Sequence, residues 1–197
     1  MKSPASSYPT HYGNFKQHER NGTVNQLGFK KPNDVYIFCN RFRLAKAFKR
    51  IDAPGYQAGT ISSYSAILKV SLVFSAFEVF LKTIGTNHKG AMALCRDHIE
   101  EDSKIGIIRR IPNNQKFFHF VGTFLTGDDL KKQLGAFLQG EKTSLYTLAR
   151  GVRHIFLHGV LTSTPTSIPT GQVVQICNIL SESLLQVMDA EFTKRVP

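Results

Sequence analysis

The sequence is short of cysteine, of acidic residues and of long uncharged apolar runs, and each shortage excludes something. Its three cysteines, Cys39, Cys95 and Cys177, lie far apart, are odd in number and form no CxxC pair. That pattern argues against a disulfide framework and for a reducing, cytoplasmic setting. The first thirty residues contain Pro, Tyr, His and Asn but no continuous apolar segment of the kind a secretory signal needs, so export is not expected. The longest apolar stretch, Ile61 to Ile84, is interrupted by Lys69, Glu78, Lys82 and several serines, which makes it a buried helix rather than a membrane span. Only 14 Asp and Glu offset 25 Lys and Arg, leaving a formal charge of +11 and a pI near 9.7. A polyanionic partner is the direct implication of that imbalance.

No segment alternates as a strand should, and no repeat is visible. The expectation is an all-α bundle of five to seven helices. At 197 residues and 42% hydrophobic, the chain is long enough to close a core by itself. Residues 1–32 carry Lys2, Lys16, Arg20, Lys30 and Lys31 against one acid, Glu19, and read as a loosely ordered basic arm. Residues 33–197 then form a single helical domain. Within it the expected helices run from Asn33 or Asp34 to about Arg50, from Ser62 to Ile84, over 88–101, from Asp128 to Gln139, from Ser144 to Thr162, and from Val173 onward. The acidic run Glu100, Glu101, Asp102 reads as a solvated helix end, and Phe117, Phe118, Phe120 and Phe124 as core.

Two patterns of known chemistry come close and fall short. Gly135-x4-Gly140-Glu141-Lys142-Thr143 has phosphate-loop spacing, but Glu141 is inserted before the Lys-Thr pair and a helix precedes it. A helix-to-helix turn is expected instead. His154 with His158, and Cys95 with His98, have helical ligand spacing, and together they could make a tetrahedral metal site if their helices met. No metal or other cofactor is assigned on that basis.

The segment Arg150-Gly151-Val152-Arg153-His154-Ile155-Phe156-Leu157-His158 combines fixed cations with titratable imidazoles on an otherwise apolar helix. It resembles the Arg-x4-His signature of the HEPN superfamily, with His154 as the polar residue after the arginine. The similarity covers about residues 60–195, with Glu78 matching an acidic residue on an earlier family helix. The resemblance implies a helical bundle and a metal-independent endoribonuclease acting as a toxin or defence effector. The alternative it leaves open is a non-catalytic RNA- or nucleotide-binding protein working with a partner such as a nucleotidyltransferase.

On this reading His158 is general acid or base, Arg153 stabilises the phosphorane, and His154 orients a phosphate or its neighbouring imidazole. Glu78 has a supporting role, although pairing with Lys82 one turn away is its simplest explanation. Arg41, Arg43, Lys46, Lys49 and Arg50, with no acid between them, are candidate phosphate contacts, as are Arg109, Arg110 and Arg150. One motif supplies one well-placed histidine, so a homodimer with a shared site is expected, and Gly151 would allow close approach of a partner helix or a phosphate. An antitoxin is a further expected partner.

Overall fold

The computed structural model describes residues 7–159 and 162–197, and of Thr166 only the backbone. The segment 58–84 is apolar around most of its axis, which forces it inside. It forms α3 (Ala58–Ile84), about 40 Å long at 1.5 Å per residue. Ile67, Val70, Val73, Phe74, Phe77 and Phe80 along it are buried. Around it pack α2 (Asp34–Ala47), α8 (Leu145–Leu157) and the other long helix, α9 (Thr170–Arg195). The remaining helices are α1 (Tyr12–Arg20), α4 (His88–His98), α5 (Glu101–Arg110), α6 (Asn114–Phe124) and α7 (Asp128–Leu138). The all-α expectation holds among the described residues, but with nine α-helices rather than five to seven. The additional helices are short, and their apolar stripes are too brief to stand out in sequence.

Helix ends follow local chemistry. α3 stops where Gly85 takes φ +71°, so that Gly85 N–H and Thr86 N–H return to the carbonyls of Lys82 and Leu81. α8 stops five residues before the expected Thr162. His158 is its C-cap, and Gly159 follows at φ +71°. Residues 160–161 lie outside the described residues.

Two expectations are corrected. Lys2 lies outside the described residues, but residues 7–32 are not a loose arm. Phe15 of α1 is buried among Phe29, Tyr36 and Phe192. Thr10 donates to the Asp189 carboxylate through its N–H at 2.6 Å and its hydroxyl at 2.8 Å, and Asn14 donates to the Pro197 carbonyl. The amides of Lys30 and Lys31 both donate to the Thr83 carbonyl. The segment is therefore a cap across the ends of α3 and α9.

The acidic run does not end a solvated helix either. α4 stops at His98 and Glu101 opens α5, buried to 4% exposure. Its Oε1 accepts from Ser144 Oγ at 2.7 Å and from Leu145 N–H at 2.8 Å, so it caps the N-terminus of α8. Residues 135–138 end α7, and 139–144 make the turn to α8, with Gly140 at φ +81°.

Candidate active site on the ridge of α8

The helix α8 buries Leu148, Val152 and Ile155 and turns a polar ridge outward. Tyr146, Arg150 and Arg153 follow one another at spacings of four and three, so they line one stripe, with His154 and His158 to one side of it. Arg153 reaches α3. Its guanidinium pairs with Glu78 at 3.0 Å and lies over the Phe74 ring at 5.3 Å, with both charged side chains about one-third exposed. Glu78 is thus the partner of Arg153 across the helix pair, and the intrahelical pairing with Lys82 is not formed.

His154 and His158 meet as one helical turn allows, with ring centroids 4.5 Å apart. His154 Nε2 also lies 3.3 Å from Thr126 Oγ1, in the connection between α6 and α7. Partial burial lowers the His154 pKa below the ordinary 6.5, and the nearby charges of His158, Arg150 and Arg153 lower it further. The shift favours the neutral imidazole. Arg150 makes no hydrogen bond or ion pair with any described residue, which leaves a free cation between the two ends of the ridge.

The helix turns the two principal residues apart. Arg153 faces α3 and His154 faces the α6–α7 connection, and no hydrogen bond joins Arg153 to His158. His158 is exposed at the C-cap, its N–H bonded to the His154 carbonyl.

Two neighbours went unnoticed in the sequence. Buried Tyr146 hydrogen-bonds His88 Nδ1 at the start of α4 and packs on Phe74 and Phe77. Burial pushes its pKa up to about 12, against the opposing charge of Arg150, so the phenol remains a donor. The only sequence signal was that Tyr146 stands four residues before Arg150 on one helical face.

Other predicted contacts are spread out. Arg41 donates to Ser75 Oγ on α3 at 2.7 Å, one turn before Glu78. Arg43 turns the other way, donating to the Tyr8 hydroxyl and lying over its ring. Lys46 covers the Phe42 ring, while Lys49 and Arg50 are exposed beyond the end of α2. Arg109 is committed to structure, stacked on Phe137 and donating to the Glu141 carbonyl at 2.6 Å. Arg110 donates to the Gly106 carbonyl within its own helix. Gly151 is corrected outright: it is buried, and a Cβ there would stand 3.1 Å from Val121 Cγ1 of α6. It serves internal packing and offers no surface to a partner helix or a phosphate.

The four metal-type residues do not assemble. His98 pairs with Glu191 at 2.7 Å, and Glu191 in turn holds Arg195. Burial pushes the Cys95 thiol up to about 12, so it is not a ready thiolate ligand. Among the described residues no three His, Cys, Asp or Glu side chains are placed to hold a metal ion. A cleft of about 290 Å³ lined by Arg96, Glu101, Gln133, Lys142 and Thr147 opens at the opposite end of α8, away from the imidazoles. No helix among the described residues is long and apolar enough to cross a membrane. Comparisons with protein-family models, curated proteins and solved structures return no significant match.

Proposed function

We propose that the chain is a metal-independent endoribonuclease of HEPN type, with its chemistry on Arg153, His154 and His158. The observation that carries this reading is the set at the C-terminal end of α8: two imidazoles with ring centroids 4.5 Å apart, one with a lowered pKa, on the same helix as a guanidinium oriented by Glu78. Such a set supplies each requirement of RNA transesterification. A neutral imidazole takes the 2′-hydroxyl proton, O2′ attacks phosphorus, and the P–O5′ bond breaks as an acid delivers a proton to O5′. The guanidinium neutralises the added charge on the phosphorane. Products are a 2′,3′-cyclic phosphate and a 5′-hydroxyl, with no water consumed. On this reading Arg150, and Arg41 from α2, are the cations that hold neighbouring phosphates. RNA is the partner implied, and a toxin or defence role with a cognate antitoxin is the setting such an activity fits.

The divergence of Arg153 and His158 bears on how the site is completed. It favours a homodimer in which the two copies contribute complementary groups to one phosphate. It also favours the second reading, a non-catalytic RNA- or nucleotide-binding protein acting with a nucleotidyltransferase-like partner. Substitutions separate them. His158→Ala should lower cleavage at least 100-fold, roughly the scale of acid-base catalysis. Arg153→Lys should fail as well, because an ammonium cannot reproduce the planar fork. Dimers with His158→Ala in one subunit should lose far more than half their activity. Half activity, or full activity from a monomer, would reject the shared site, and intact RNA bound by the native chain would favour the second reading.

A further inference from the structure

The apolar surface beside the α8 ridge has no role in the chemistry above. Phe124, the last residue of α6, is 44% exposed, and its ring leans on half-buried Phe120 with centroids 5.0 Å apart. Phe117 and Phe118 in the same helix are wholly buried, so the exposure of Phe124 is not a property of the helix as a whole.

α6 is fixed against α8 on either side of this residue. Three residues before Phe124, Val121 packs on Gly151, and two residues after it, Thr126 meets His154. Phe124 therefore lies on the imidazole side of α8, two residues from the Thr126 that meets His154. An exposed aromatic ring on the imidazole side of a basic helix fits one ligand chemistry well, a flat nucleobase joined to a phosphate. The phosphate stays with the cations while the base stacks on the ring.

We propose that Phe124, backed by Phe120, is a base-stacking subsite that receives the nucleobase next to the phosphate held at His154 and His158. The proposal rests on the RNA reading of the α8 ridge. A paired base cannot present its face, so the substrate is single-stranded at this position. Stacking is tolerant of sequence because every base has a π-face.

The chain contains no tryptophan, so Phe124→Trp installs a single, selectively excitable tryptophan at an exposed position. The experiment titrates this variant in EDTA, His158 left in place, with short 2′-O-methyl oligouridylate or oligoadenylate, which lacks the attacking 2′-hydroxyl and cannot be cleaved by transesterification. Anisotropy of the labelled oligonucleotide measures binding independently. The expected result is quenching of the tryptophan by single-stranded RNA but not by duplex RNA. Phe124→Ala should bind the single strand about 10-fold more weakly, and an abasic oligonucleotide should bind both chains alike. Unquenched emission while anisotropy reports binding, or unchanged affinity in Phe124→Ala, overturns the subsite and leaves the RNA reading standing. Emission that changes with protein concentration instead of RNA also overturns it, assigning the patch to a contact between copies. Absence of any RNA binding overturns both readings.

Discussion

His154 is the residue whose behaviour is most directly measurable. Its partial burial and cationic neighbours hold its pKa below 6.5, so the unfolded chain binds more protons than the native one over that interval. Stability from this group is present above pH 6.5 and is lost as pH falls through the depressed value. An NMR titration of the His154 ring should have a midpoint below 6.5, and His158→Asn, which removes the nearest cationic contribution, should move it upward. An unmoved midpoint would mean that the imidazole pair is not electrostatically linked. The sequence made the Arg153 to His158 spacing legible because both residues share one helix. It could not reveal that Glu78 would choose Arg153 over Lys82, since that choice depends on two helices, 75 residues apart, packing side by side. Gly151 misled for the same reason: a glycine before a motif looks like room for a ligand until Val121 is found in that room.

At the scale of elements, Glu101 holds α8 in place and thereby aims the ridge. Burial raises its pKa, against the hydrogen bonds from Ser144 and Leu145. The raised value means that stability from this group is fully present below about 4.5 and is lost as pH rises through the folded pKa. At neutral pH its ionisation is therefore a cost, offset by the two donors. Both donors share Oε1, which glutamine also offers as an acceptor. Glu101→Gln should stay within about 1 kcal/mol of the native protein, whereas Glu101→Ala should lose about 1–3 kcal/mol by denaturant titration. Equal losses would contradict the capping role.

The N-terminal cap makes a parallel prediction. Phe15→Ala should cost about 3–5 kcal/mol, and removal of residues 1–32 should unfold the chain rather than merely weaken RNA binding. A folded truncation of unchanged stability would restore the arm reading. Neither element was legible beforehand. Phe15, Leu27 and Phe29 are too sparse to form a periodic stripe, and three consecutive acids look solvated until one of them is found under a helix N-terminus. The central helix was legible because its apolar residues run around the axis for 27 residues.

For the whole molecule, the formal charge of +11 is distributed unevenly in function. Arg109 and Arg43 are engaged by ring and oxygen partners within the fold, while Lys49 and Arg50 are exposed and Arg150 has no hydrogen bond or ion pair among the described residues. In the proposed function RNA lies along α8 with support from α2, and the chemistry rests on groups that need no metal to move a proton. The most direct test is incubation of the purified native chain with labelled single-stranded RNA in excess EDTA, with analysis of the product ends. The account predicts cleavage that yields 2′,3′-cyclic phosphate and 5′-hydroxyl ends and disappears in His158→Ala. RNA left intact by the native chain, or cleavage that stops in EDTA and returns with Mg²⁺ or Zn²⁺, would contradict it.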